Sequence, residues 1–387
     1  MGESKKMGKK FRIKNYLNYI VIAVALLLFI VFDNMGVLGR SELGLLSRIA
    51  YSIVLAVSLN LVVGFLGELS LGHAGFMCVG AYIGCYFANA LTDIIGNQLI
   101  VFVLSLFVGG LVSAVFGFII GLPALRLKGD YLAIVTLAFG EIVRNLFKNL
   151  PYFGAAKGMQ TNQIILDRRA MYIVSFIIVL LVLFLIQNLI QSKHGRAITA
   201  IRDNEIAAKS MGINITYYKL FVFIFAAFFA GVAGVMYGHQ VSIITQSTFS
   251  YNYSIEILVM VVLGGMGSIN GSIIAATLIT YINFILQNEL SGELAALKLL
   301  IYAIILILVV IFSNAPALKP LREKFNIRNI IHNITKAHKK PGNIRMMMLN
   351  GTVLKAKFRW TNCFLLMFRT INPITRINPR KEIKNNV

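Results

Sequence analysis

A succession of apolar runs of membrane-spanning length constrains this chain more than any other feature. The first run, Tyr16 to Phe32, holds 17 residues without a charge. At about 1.5 Å per residue a helix of that length covers roughly 26 Å, close to the ~30 Å hydrocarbon core of a bilayer. Ten candidate spans can be read, at about 16–32, 46–64, 71–91, 99–121, 130–147, 170–190, 220–239, 254–264, 270–287 and 297–313. Lipid offers no water to unpaired backbone groups, so such spans close their hydrogen bonds internally as helices. The expected fold is therefore all-α, a polytopic membrane bundle of about ten transmembrane helices. With 58% hydrophobic and 13% charged residues, a soluble domain of 387 residues is excluded. Two spans are irregular: the fifth contains Glu141 and Arg144, and the eighth has only about eleven apolar residues, so it is expected to be short or broken. Six Lys/Arg precede the first run as in a secretory signal, but Asp33–Gly36 offers no small-residue cleavage site, so it reads as a retained span.

Charge places the loops. Of the formal net charge of +22, residues 1–14 carry +5 and residues 314–387 carry +14, leaving little for the middle. The positive-inside rule then puts both termini in the cytoplasm, which requires an even number of spans. On that count the segment with Arg126 and Lys128 is cytoplasmic, and the acidic turn with Glu289 and Glu293 is outside. Membrane topology accounts for the basic excess without nucleic-acid binding. Cys78, Cys85 and Cys363 form no C-x-x-C or Cys/His metal pattern, and the first two read as packing residues of an apolar helix. The division expected is a basic cytoplasmic N-terminus at 1–15, a transmembrane domain at 16–313, and a basic tail at 314–387.

One long interruption breaks the apolar pattern. Residues 191–219 read QSKHGRAITAIRDNEIAAKSMGINITYYK, with Lys193, Arg196, Arg202, Lys209 and Lys219 against Asp203 and Glu205. The charge bias makes this a cytoplasmic loop. Asp203 is placed to cap a short helix starting near Asn204, with Glu205 in its first turn against the dipole. Gly212 is placed to end that helix in a left-handed conformation. Ala207 and Ala208 keep one face small enough to enter a groove on another protein. A helix with these properties, in a chain that is otherwise nearly all membrane, suggests a docking site for a soluble partner.

Glycine and buried polar residues mark where helices meet. Gly64, Gly67, Gly72, Gly75, Gly80 and Gly84 crowd one region, and Gly264, Gly265, Gly267 and Gly271 crowd another. Small residues let helix backbones approach closely in lipid, and dense glycine with Ser70, Ser268 and Asn270 also permits helix breaks beside a central route. Candidate residues along such a route are Asn60, Ser70, His73, Glu141, Glu256, Gly265 and Ser268. Charges in apolar spans are costly and usually face the bundle interior. Glu141 and Arg144, three apart on a helix, read foremost as a structural ion pair, and His73 as a hydrogen-bonded structural histidine.

The pattern Glu205-x-Ala207-Ala208-x-x-x-Gly212 resembles the coupling loop of the membrane subunits of bacterial ABC importers. The stretches SLNLVVGFLGELSLGHAGFMCVGAYIG, LPALRLKGDYLAIVTLAFGEIVRNLF, GRAITAIRDNEIAAKSMGIN and SIEILVMVVLGGMGSINGSIIAATLI together resemble the M-type permease subunits of branched-chain amino acid ABC importers. The likeness runs from about residue 45 to 313. It implies a sister H-type permease subunit as heterodimer partner, two cytoplasmic ATPase subunits, and an extracytoplasmic binding protein that delivers leucine, isoleucine or valine. It also implies that Arg202, Asp203, Glu205, Ala207, Ala208 and Gly212 form the ATPase-coupling loop. No G-x-x-x-x-G-K-[ST] phosphate loop is present, so ATP and Mg are expected to be used by the partners, with no cofactor or metal held by this chain. The expected location is the bacterial inner membrane, in contact with lipid.

The tail departs from that pattern. About 70 residues rich in Lys, Arg and Asn follow the last span, where such permeases usually end. Trp360 and Phe364 suit a membrane-surface anchor, and a disordered basic tail fits equally. Rival readings are the same architecture for urea or short amides, an ion-coupled secondary transporter, and a non-transporting membrane scaffold or receptor.

Overall fold

A computed structural model describes residues 19, 22–24, 26–36, 39–127, 129–161 and 167–289, together with 304 and 307. All of them belong to the first of two units into which the chain divides, Met1–Ser313. The basic N-terminus at 1–15, the tail at 314–387 with Cys363, Trp360 and Phe364, and nearly all of the expected span at 297–313 lie outside the described residues.

The architecture is a helical membrane bundle. Its helices are α1 (Ile22–Asn34), α2 (Arg40–Asn60), α3 (His73–Thr92), α4 (Gln98–Ala124), α5 (Asp130–Asn149), α6 (Arg168–Gln191), α7 (Lys193–Asp203), α8 (Glu205–Ser210), α9 (Ile215–Gln240), α10 (Tyr251–Gly264) and α11 (Ile269–Glu289). Six described helices are long and apolar enough to cross a bilayer: α2 with the turn that follows it, α3, α4, α6, α9 and α11. Of the other expected spans, α1 and α10 are shorter apolar helices, α10 having 14 residues. Helix α5 carries Asp130, Glu141, Arg144 and Lys148 in 20 residues. It buries Leu132, Ala133, Thr136, Phe139, Gly140, Val143 and Phe147, a stripe at helical period, against α3.

Helix α2 is the axis of the bundle. It is buried along nearly its whole length and packs against α6, α9, α10 and α11. Helices α4 and α6 instead turn large apolar faces outward, with Phe107, Phe118, Ile119, Leu181 and Phe184 exposed, as lipid-facing helices must. Among the described helices α3, α4 and α9 pack most intimately. A Cβ on Gly80 would meet the backbone of Gly231, and one on Gly109 would lie 2.9 Å from the Gly80 carbonyl oxygen. Backbones this close suit association in lipid, where van der Waals contact replaces hydrophobic burial as the driving force.

The two ends of the bundle are built differently. At one end Met159–Gln160 (β1) and Ile243–Ile244 (β2) form a two-stranded antiparallel pair, and Tyr82 donates its hydroxyl to the Ile244 carbonyl at 3.1 Å. There too, Arg169 pairs with the buried Asp33 carboxylate at 3.1 Å, tying α1 to α6. The opposite end gathers α7, α8, the start of α9, the α10–α11 turn and the passage from α2 to α3.

Candidate functional site

At this second end α2 does not stop cleanly. Residues Leu61–Leu66 form a wide π-helical turn, closed by Gly67 at φ +83°, a conformation that favours glycine. Residues 67–72 then run without regular structure to the start of α3. Single π turns tend to occur where a helix serves a functional site.

The two glycine clusters meet here. A Cβ on Gly64 would lie 2.9 Å from the Gly267 Cα, and Gly267 itself adopts φ +79° in the α10–α11 turn. Asn60, fully buried, locks the contact: its Oδ1 accepts from the Gly267 amide at 2.9 Å, and its Nδ2 donates to Ser272 Oγ at 2.9 Å. The Ser268 hydroxyl accepts from the Gly271 amide at 3.2 Å, and Gly265 has φ +89° in the same turn.

Helices α7 and α8 frame this joint. Ser192 caps α7 by accepting from the Gly195 amide. Asn204, not the expected Asp203, caps α8: its Oδ1 accepts from the Ala207 amide at 3.0 Å. Helix α7 runs through Asp203, which leaves the next residue at the junction between the two helices. Asp203 instead accepts from the Arg202 guanidinium at 3.1 and 2.9 Å. Glu205 does lie in the first turn of α8. Gly212, at φ +79°, follows the end of α8, and its amide donates to Lys209 while that of Ile213 donates to Ala208. Those two bonds form a Schellman closure. Of the two alanines Ala208 is buried and Ala207 exposed, so the small face is split between bundle and solvent.

Two cations tie these helices to the α2–α3 passage. Arg202 Nη1 donates to the Gly64 carbonyl at 3.0 Å, and its stem lies against Gly67, where a Cβ would sit 2.7 Å from Cγ. Lys219, buried one turn into α9, holds Glu68 at 2.5 Å and Glu205 at 3.6 Å. On α8 and at its C-cap two large apolar side chains face outward: Ile206 is 80% exposed and Met211 82%.

The remaining sequence candidates, Ser70 apart, are drawn into helix–helix contacts. His73 meets Ser58 Oγ through Nε2 at 2.8 Å and is buried at the start of α3. Glu141 pairs with Arg144 at 2.6 Å, and its other oxygen accepts from the Tyr251 amide at 3.0 Å, placing a carboxylate at the N-terminus of α10. Glu256 accepts from Asn283 Nδ2, linking α10 to α11. Ser70 is buried in the α2–α3 passage, and its hydroxyl finds no hydrogen-bond partner among the described residues. Thus Asn60, Gly265, Ser268 and the segment 202–212 converge on one joint, whereas His73, Glu141 and Glu256 lie in separate contacts. Sequence reading missed Asn204 as a cap, Lys219, Ile206 and Met211, and it singled out Glu68 only as a polar residue within an apolar run. Lys219 registered only as a topogenic charge, and an apolar pair on a predicted surface helix was the available signal for Ile206 and Met211.

Comparison with known proteins agrees with this architecture. The family described as branched-chain amino acid transport system / permease component matches residues 41–310, well over half of the chain. The high-affinity branched-chain amino acid transport system permease protein LivM of Salmonella typhimurium is 33% identical over 75% of this chain and 73% of its own length. Its namesake in Escherichia coli is 32% identical over 80% of this chain and 77% of its own length. A probable LivM of Methanocaldococcus jannaschii is 28% identical over 56% and 73%. No solved structure matches. With a family match of this extent laid over a membrane-spanning helical bundle, the chain belongs to the branched-chain amino acid permease family and is a transport component, not an enzyme.

Proposed function

We propose that this chain is the M-type permease subunit of an ATP-driven importer of leucine, isoleucine and valine, and that α8 is its docking helix for a soluble ATPase subunit. The observation that carries the reading is the exposure of Ile206 on α8 and of Met211 at its C-cap, in a helix whose two ends are fixed by Asn204 and Gly212. Exposed apolar side chains on a rigid polar-flanked element are what a partner's groove would bury. In this reading 191–219 faces the cytoplasm of a bacterial cell, both termini lie on that side of the inner membrane, and a sister H-type permease completes the membrane unit. An extracytoplasmic binding protein delivers the amino acid, and ATP with Mg is consumed by two ATPase subunits.

The mechanism assigned to this chain is mechanical. Nucleotide-driven closure of the ATPase subunits displaces α8 as a rigid body, and the spans attached to it follow, alternating access to a route between permease subunits. The test is co-purification of the ATPase subunits with the permease pair. Ile206→Asp with Met211→Asp should release them, and retention at wild-type stoichiometry would refute the docking role.

A further inference from the structure

We infer that Lys219 is the positioning residue that passes movement of α8 to the passage between α2 and α3. This rests on the docking role proposed for α8. The ammonium of Lys219 is a compact, strongly hydrated charge, yet its side chain is only 5% exposed. Its two carboxylates come from segments far apart in the chain. Glu68, 13% exposed, immediately follows Gly67 and the π turn, whereas Glu205, 33% exposed, belongs to the first turn of α8.

One cation shared between two acids at unequal distance is an element with two arrangements. At 2.5 Å the ammonium belongs to Glu68, and at 3.6 Å Glu205 holds a weaker share. Moving α8 toward α9 raises the share of Glu205 and loosens the Glu68 end, and moving it away does the reverse. A buried carboxylate is costly to leave unpaired, so Glu68 must follow its cation or shift its backbone. That backbone is the non-helical run 67–72 of the α2–α3 connection. Arg202 makes a second link in the same direction, from the end of α7 to the Gly64 carbonyl inside the π turn. Helices α2 and α3 are not sequence neighbours of α8, and among the described residues these side chains give it polar links to the passage between them.

The test uses the assembled importer in proteoliposomes, with ATP hydrolysis and leucine uptake measured together. Lys219→Met alone strands Glu68, so the informative variant is Glu68→Gln with Lys219→Met, which removes both charges and keeps unbranched side chains of similar size. The ATP consumed per leucine transported should rise at least tenfold while the ATPase subunits remain bound. A merely structural pair would not move that ratio. An unchanged ratio overturns the inference, and so does failure of the double variant to assemble, because the pair would then be a folding element. Retention of ATPase subunits by Ile206→Asp with Met211→Asp would instead overturn the docking reading, and this inference with it.

Discussion

Gly64→Ala should separate the two glycine clusters and destabilise the joint. The added Cβ would stand 2.9 Å from the Gly267 Cα, closer still to the Gly267 amide nitrogen, and on top of Asn60 Oδ1. Carbon atoms settle at about 3.5–4.0 Å, so the π turn and the α10–α11 turn must move apart by roughly 1 Å. That opening stretches the 2.9 Å bond between Asn60 and the Gly267 amide beyond hydrogen-bond range. Overpacking costs about 1–3 kcal/mol and an uncovered buried amide about 1–3 kcal/mol, giving roughly 2–6 kcal/mol together. Gly96→Ala is the internal control, because a Cβ there meets nothing within 4 Å and Gly96 does not need a positive φ. The assay is thermal loss of the monodisperse species in detergent, measured on both variants and the wild type. Gly64→Ala should fall several degrees below the other two. If all three melted together, the close approach of the two clusters would not be a stabilising contact, and the description of the joint would fail.

Other outcomes follow from the same geometry. Gly212→Val should weaken ATPase coupling more than membrane insertion, because φ +79° suits glycine and the surrounding space is open, so the strain of about 1–3 kcal/mol is conformational. Gly212→Asn, which tolerates that region better, should be milder in the same reconstituted ATPase assay. Burying Ile206 and Met211 contributes about 1.5–3 kcal/mol each, so either single Asp substitution should reduce affinity for the ATPase subunit at least tenfold in a binding titration. Cysteine labelling of intact cells with an impermeant reagent should modify a probe at Tyr152 and not one at Asn204, since these lie at opposite ends of the bundle. Truncation after Phe325 should preserve leucine uptake, because the tail falls outside the family match.

What the sequence disclosed and what it concealed divide along physical lines. The bundle was legible because spans announce themselves by length and apolarity, as did the short α10 and the charged α5. The start of α8 was legible to within one residue. Asp203 and Asn204 are adjacent residues of equal capping ability, and only the fold shows that α7 claims the first. The Glu141–Arg144 pair lay within a single helix, so its spacing was visible, but the cap that Glu141 provides to α10 joins distant segments and was not. Lys219 illustrates the limit most clearly. Its charge located a loop, while its partners Glu68 and Glu205 are set by how α2, α8 and α9 meet. The meeting of Gly64 with Gly267 was hidden for the same reason: composition shows two clusters, and only tertiary packing makes them one contact.

The central claim is that transport by this chain is driven by ATP through α8. The most direct measurement is leucine uptake into proteoliposomes holding the complete importer, with ATP sealed on the side of 191–219 and ion gradients collapsed by ionophores. Uptake that requires ATP, persists without ion gradients, and is lost with Ile206→Asp and Met211→Asp is the result expected. Uptake that proceeds without ATP and stops when the ion gradient collapses would contradict it.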